Sequence, residues 1–115
     1  YNNDQQGFYP ASYKLRNIIS VASTQDDGRL LPSSNFGAAS VMIAARGEKV
    51  LSDLPLGRKG RMTGTSQAAA VVSGVASRLF AEFKTKDFEL VKSHLLRSGR
   101  IEPSLWGANK DRKVR

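Results

Sequence analysis

The chain contains no cysteine, which excludes disulfide bonds and thiolate metal sites. No apolar run is long enough to cross a membrane, and the chain does not open with the basic and then apolar pattern of a signal peptide. These two absences predict no association with a membrane. The first residue is Tyr1 rather than Met, so we expect a processed or shortened product.

Acidic residues are few, with 10 Asp and Glu against 18 Lys and Arg, and the formal charge is +8 at pH 7. Such a charge often indicates an acidic partner such as nucleic acid. Here the aromatic residues do not alternate with the basic ones, as base stacking would require. Eleven of the 18 basic residues form three groups: Arg58, Lys59 and Arg61; Lys84 and Lys86; and Arg97, Arg100, Lys110, Arg112, Lys113 and Arg115. We interpret them as solvated surface and expect no nucleic-acid partner, with a basic nucleic-acid-binding domain as the weaker alternative.

A length of 115 residues allows one small domain. Short apolar runs at 17–23 and 41–45 are typical of buried strands, and 49–51 predicts a brief third one. Between them, Asp26, Asp27 and Gly28 predict a turn rather than a metal loop, because no further acidic ligands follow at a suitable spacing. Loops are predicted for 1–6 and 54–59. Residues 103–115 are predicted to form a flexible tail, in which Trp106 packs at the edge of the domain.

Residues 68–76 are almost all small or apolar, which predicts a helix buried on several sides. Gly64 allows a tight turn into this helix, and Thr65 or Ser66 can cap its first N–H groups. A serine at the positive end of a buried helix is also well placed as a nucleophile, because the N–H groups there can hold an oxyanion. From these residues alone, Ser66 is either a cap or a nucleophile.

A second helix is predicted for 86–98, because Phe88, Val91 and Leu95 follow helical spacing and Gly99 ends the pattern. Thr85 is its predicted N-cap, and the helix is expected to pack on the outside of a sheet. It carries His94, the only histidine in the chain. We interpret His94 as a partly exposed helix residue.

Residues 64–76 read GTSQAAAVVSGVA and resemble the nucleophile segment of subtilisin-like serine proteases, G-T-S-M-A-x-P-x-V-[AS]-G-x-x-A. Four further segments resemble this family in its order and spacing, so that the resemblance covers roughly residues 7 to 98. They are YPASY at 9–13, NIISVAS at 17–23, SNFG at 34–37 and IAARGE at 43–48. The resemblance implies an α/β fold, with part of a subtilisin-like parallel sheet and flanking helices, and it places the nucleophile on Ser66.

Several residues depart from the family pattern. Gln67 replaces the usual Met, while Ala70 and Arg46 replace usual prolines. Met42 stands where the family commonly has an Asp that helps to hold a cation. A thioether is a poor ligand for a hard cation, so we predict no metal site, and no cofactor is expected. The family's histidine precedes its serine in the chain, which argues against a catalytic role for His94.

A serine hydroxyl becomes a good nucleophile only when an oriented base removes its proton. This chain has no convincing base, and the family supplies its Asp, His and oxyanion-hole Asn from upstream segments. The resemblance therefore implies that residues 1–115 are the C-terminal part of the catalytic domain of a subtilisin-like serine endopeptidase. The complete enzyme would hydrolyse peptide or protein substrates by acyl transfer, whereas this chain alone would be inactive and would pair with the upstream half of the domain.

Three further expectations accompany this interpretation. A secreted or periplasmic location follows from the family resemblance. Phe8 is expected either near the family's specificity pocket or in the core. The alternative function is a non-catalytic protein-interaction module that keeps the fold, in which case Ser66 would be only a helix cap.

Overall fold

The computed structural model describes residues 1–100 and 102–106. Strands β1 to β4 span Val21–Thr24, Ile43–Arg46, Val50–Leu54 and Arg58–Met62, and helices α1 and α2 span Thr65–Glu82 and Phe88–Ser98. Two short 3-10 helices, Pro55–Gly57 and Pro103–Trp106, complete the regular structure of these residues. The segment predicted as a flexible tail thus begins with a 3-10 turn in which Leu105 is buried. Residues 107–115 and the Trp106 side chain lie outside the described part.

Strands β1 and β2 form a parallel pair in which Val21 lies opposite Ile43 and Thr24 opposite Arg46. Helix α1 packs on both strands. This arrangement confirms the predicted α/β fold with a parallel sheet and flanking helices. The sequence placed the start of the first strand four residues too early and that of the second two residues too early, because both apolar runs begin before the ladder forms.

A small apolar core lies beside this parallel pair. Ala22 and Val41 are buried at its centre, and Leu30, Phe36 and Ala44 pack against them. Because the loop that joins the two strands supplies Leu30 and Phe36, it is fixed to the sheet by its own side chains. At the start of this loop, Gly28 has a φ of 85°, which confirms the predicted Asp-Asp-Gly turn.

Strand β3 confirms the brief third strand predicted at 49–51, but the sequence did not predict β4 or the antiparallel hairpin that it forms with β3. Val50 pairs with Met62 and Leu54 with Arg58, and the turn between them places Leu56 and Gly57 at φ values of 63° and 70°. The expected loop at 54–59 is therefore the hairpin turn and the start of β4. Strand β4 reads RKGRM, which lacks the β-branched and aromatic residues that mark most strands.

Helix α1 is less buried than the sequence predicted. Ala68 and Val72 are its buried residues, whereas Val71 and Val75 are 40% and 48% exposed. The contacts of α1 are with β1, β2 and α2, which cover one side of the helix. The prediction of a helix buried on several sides is therefore wrong for this chain.

Helix α2 ends at Gly99 as predicted, but its beginning differs. Its N-cap is Asp87, whose carboxylate accepts hydrogen bonds from the N–H groups of Glu89 and Leu90. The predicted cap, Thr85, instead accepts a hydrogen bond from the Asp87 N–H. Helix α2 packs chiefly on α1 rather than on the sheet, and it buries Val91 and Leu95.

Candidate active site

Ser66 is the second residue of α1, immediately after the turn that joins β4 to this helix. The N-cap is Gly64, which has no side chain, so neither Thr65 nor Ser66 occupies the capping position that the sequence predicted. Ser66 is exposed, and its hydroxyl makes no hydrogen bond within residues 1–100 and 102–106. The alternative in which Ser66 serves only as a cap therefore has no support in its contacts.

The turn before Ser66 is fixed to the end of β2 by backbone hydrogen bonds. The Gly64 N–H donates to the Gly47 carbonyl at 2.9 Å, and the Gly47 N–H donates to the Thr24 carbonyl at 3.1 Å. On the other side of the turn, the Lys49 N–H donates to Thr63 Oγ1 at 2.9 Å. Ser66 thus lies where the carboxyl end of a parallel strand meets the amino end of a helix, a common position for sites in α/β proteins.

Gly47 has a steric role in this arrangement. A Cβ atom at this position would collide with Ser23 Oγ on β1 and with the Gly64 carbonyl oxygen. Only glycine therefore lets β2 approach the serine turn this closely.

A groove of about 780 Å³ opens in front of Ser66. Its lining combines the start of α1, the N-terminal segment and the sheet with its loops; the residues that matter below are Ser66, Thr65, Asn3, Phe8, Ile19 and Asn35. Within the described part of the chain, no Asp, Glu, Lys, Arg or His side chain lines it. Phe8 is 61% exposed in this groove, so its alternative placement in the core is wrong. The groove offers a serine hydroxyl among uncharged side chains.

The N-terminal segment forms one wall of the groove and is fixed by its own hydrogen bonds. The Asn3 N–H donates to the Phe36 carbonyl at 2.7 Å, and the Asp4 carboxylate accepts from the N–H groups of Ala39 and Ser40. Burial acts to raise the pKa of Asp4, but the donated hydrogen bonds outweigh it and hold that pKa below its ordinary value. Residues 1–6, predicted only as a loop, therefore hold a wall of the groove in place.

His94 lies away from this groove on α2, where its ring meets Phe83 edge to face at a centroid distance of 4.9 Å. It is an exposed helix residue, as predicted. Among residues 1–100 and 102–106, Ser66 accordingly has neither a histidine nor a carboxylate beside it in the groove.

Comparisons with known proteins identify the family. The family model described as the subtilase family, Peptidase_S8, matches residues 1–112. This chain belongs to the subtilase family. Its fold also matches solved protease domains.

Relatives of this subtilase chain include Subtilisin-like protease 2 of Plasmodium falciparum, which is 36% identical over 80 residues, or 70% of this chain and 6% of the relative. The Extracellular basic protease of Dichelobacter nodosus is 35% identical over 101 residues, or 82% of this chain and 16% of the relative. The solved self-cleaved protease domain of PatA superimposes with a TM-score of 0.71 and 34% identity, covering 80% of this chain and 36% of that one. The subtilase chain thus spans a minor part of the length of these relatives.

The acidic residues of the β1 turn are engaged in ion pairs. Asp26 Oδ1 lies 2.6 Å from Arg46 Nε, and Asp27 Oδ2 lies 2.7 Å from Arg29 Nε. The backbone N–H of Arg29, followed by its guanidinium, lowers the pKa of Asp27. No group of three or more acidic or histidine side chains in the described ranges could hold a metal ion. No helix within the same ranges is long and apolar enough to cross a bilayer.

Proposed function

We propose that this chain is the C-terminal part of the catalytic domain of a subtilisin-like serine endopeptidase and that Ser66 is its nucleophile. The observation that carries the proposal is the exposed Ser66 hydroxyl, which faces a groove and has no hydrogen-bond partner in the described structure. A hydroxyl in that position is free to attack a bound carbonyl group. Peptide and protein chains are the proposed substrates.

In the proposed reaction, Ser66 Oγ attacks the carbonyl carbon of a peptide bond while a histidine from the upstream part of the domain takes its proton. The first N–H groups of a helix have no acceptor within the helix, so those of Thr65 and Ser66 can stabilise the developing oxyanion. The histidine then gives its proton to the leaving amine, and an acyl group stays on Ser66. Water, deprotonated by the same histidine, releases the acyl group and restores the hydroxyl.

Two features of α1 support a partner on its uncovered side. Val71 and Val75, one helical turn apart, are exposed. Gly74 lies between them in mid-helix, and nothing lies within 4 Å of the place where its Cβ would be. A mid-helix glycine costs about 1 kcal/mol relative to alanine, so one without close neighbours has no packing reason within this chain. We propose that the upstream half of the domain packs here and supplies the catalytic Asp, His and Asn.

The proposal is tested by peptide hydrolysis with the full-length gene product and three matched samples. We expect the full-length protein to cleave a casein substrate, Ser66→Ala to abolish cleavage, and Ser73→Ala, a serine of the same helix outside the groove, to retain it. The isolated chain should not cleave casein. Equal activity of the Ser66→Ala variant would refute the assignment of the nucleophile.

A secreted or periplasmic location is also proposed, on the family resemblance alone. Fractionation of cells that produce the full-length protein tests it, since recovery of the protein only from the cytosol would contradict it.

A further inference from the structure

The hairpin that leads to Ser66 has one fully exposed face. Side chains alternate along a strand, and the register pairs Leu51 with Arg61 and Asp53 with Lys59. The side chains of Leu51, Asp53, Lys59 and Arg61 share this surface, which is here called the hairpin face together with the exposed residues Lys49 and Thr63 that flank the two strands. All six residues are exposed, whereas Val50, Ser52 and Leu54 on the opposite face are half-buried.

The hairpin face carries two positive charges without acidic partners. Lys59 Nζ lies 2.8 Å from Asp53 Oδ1, so these two charges compensate each other. Arg61 Nη1 donates to the backbone carbonyl of Lys49 at 2.9 Å, and neither Arg61 nor Lys49 has an acidic partner within residues 1–100 and 102–106. Leu51, which is 59% exposed, lies beside them. The face therefore offers an apolar side chain next to two cations.

This pair of cations lies close to Ser66 along the chain. The hydrogen bond from the Lys49 N–H to Thr63 Oγ1 fixes Lys49 to the end of β4. Thr63 precedes Ser66 by three residues, a span of at most about 10 Å. The groove itself has no charged side chain among the described residues, so Lys49 and Arg61 would be the charges met by a peptide that extended from the groove over Thr63.

We propose that Lys49 and Arg61 select peptides that carry acidic side chains within about three residues of the bond to be cleaved, on the side that leaves the groove across Thr63. This inference rests on the proposed function, because it assigns the substrate class of the same site. The carboxylates pair with the two cations, and an apolar neighbour packs on Leu51. Exposed ion pairs are individually weak, so two of them give a preference rather than an absolute requirement.

Peptide binding to the full-length gene product with Ser66→Ala tests this inference without catalysis. The probes are fluorescein-labelled decapeptides that are identical except for Glu or Gln at three consecutive positions, placed at one end or at the other. For one of the two ends, we expect the peptide with Glu at that end to bind about three to ten times more tightly than the peptide with Gln at the same end. The preference should fall when NaCl is raised from about 20 to about 500 mM, because the charges are exposed.

Variants identify the surface that is responsible. Lys49→Gln with Arg61→Gln should remove the preference for Glu, whereas Lys49→Arg with Arg61→Lys should keep it, because the charges are retained. Lys86→Gln, which removes an exposed cation without an acidic partner between α1 and α2 in the described residues, is the matched control and should also keep it. Equal affinities for Glu and Gln peptides, no binding of either series, or a preference that survives the double Gln change would overturn the inference.

Cleavage of the same peptides by the unmodified full-length protein separates this inference from the proposed function. If acidic peptides bind preferentially but no peptide is cleaved, the proposed function fails and the binding surface stands. If Glu and Gln peptides are cleaved equally well, the proposed function stands and the inference is wrong.

Discussion

At the scale of single residues, the exposure of Ser66 depends on the small residues around it. Gly64 occupies the N-cap, so the Ser66 hydroxyl is not used to satisfy the helix amides. Gly47 lets β2 approach the turn before Ser66, and the Gly64 N–H donates a hydrogen bond to the Gly47 carbonyl. The position of Ser66 is therefore set by two glycines that have no reactive side chain.

Gly47→Ala should disturb this turn. Its methyl group would collide with Ser23 Oγ and the Gly64 carbonyl oxygen, and overpacking of this kind costs about 1–3 kcal/mol. We expect a loss of that size in urea unfolding of the full-length protein, together with slower peptide cleavage. The double variant Ser23→Ala with Gly47→Ala should recover only part of the loss, because the Gly64 carbonyl stays in place. An unchanged unfolding midpoint for Gly47→Ala would contradict the steric role.

Asp4 provides a pH-dependent contact in the wall of the groove. Its folded pKa lies below the ordinary 3.8, so its contribution to stability is complete above that value and is lost as the pH falls through the lower folded pKa. In an NMR titration, the amide resonances of Ala39 and Ser40 should shift with a midpoint below 3.8. Asp4→Asn should abolish this titration. A midpoint at or above the ordinary value would show that the contact is absent in solution.

At the scale of elements, the sequence predicted those parts of the fold that short-range patterns determine. Strands β1 and β2, the serine helix and the end of α2 at Gly99 follow from apolar runs, helical spacing and a terminal glycine, whereas the parallel pairing followed from the family resemblance. The caps were predicted incorrectly, because Thr85 and Asp87 are both good capping residues and only the backbone decides between them. The hairpin was missed because Pro55, Gly57 and the basic residues of β4 resemble a loop in composition.

The candidate site was only partly predictable. Ser66 follows from its motif, and that assignment stays a prediction. The sequence alone could not predict the groove wall at Asn3 or the hairpin face. The wall depends on hydrogen bonds to a distant loop, and the hairpin face depends on strand register. The exposed cations at 59 and 61, two residues apart as on one face of a strand, were the available signal for the hairpin face.

Replacing Gly74 in α1 should have opposite effects on stability in the isolated chain and in the full-length protein. In the isolated chain, Gly74→Ala should stabilise by up to about 1 kcal/mol, because nothing opposes the added methyl group and alanine favours the helix. In the full-length protein the same change should destabilise, because the upstream half approaches the glycine. Urea unfolding of both proteins measures the two signs. Ser93→Ala on the exposed surface of α2 is the control and should change the stability of both proteins equally. Stabilisation of both proteins by Gly74→Ala would contradict the proposed packing.

At the scale of the whole molecule, the described residues leave apolar surface without a cover. Val71 and Val75 are exposed on α1, and the sheet that α1 packs on has two strands. Open sheet edges and uncovered apolar faces favour association. The isolated chain should therefore self-associate as its concentration rises, as measured by light scattering after size-exclusion chromatography.

Val71→Lys with Val75→Lys should reduce that association, because two charges then lie on the apolar face. Ser93→Lys adds a charge to an exposed position on α2 and should leave the association unchanged. A sharp, cooperative unfolding transition of a monomeric isolated chain would contradict the proposal that this chain is part of a larger folding unit.

The central claim is that Ser66 is a nucleophile whose base lies outside this chain. Reaction with a fluorophosphonate, followed by peptide mapping in a mass spectrometer, tests it most directly. We predict rapid, stoichiometric modification of Ser66 in the full-length gene product and no rapid modification of the isolated chain. Rapid labelling of Ser66 in the isolated chain, or modification of a different serine in the full-length protein, would contradict the claim.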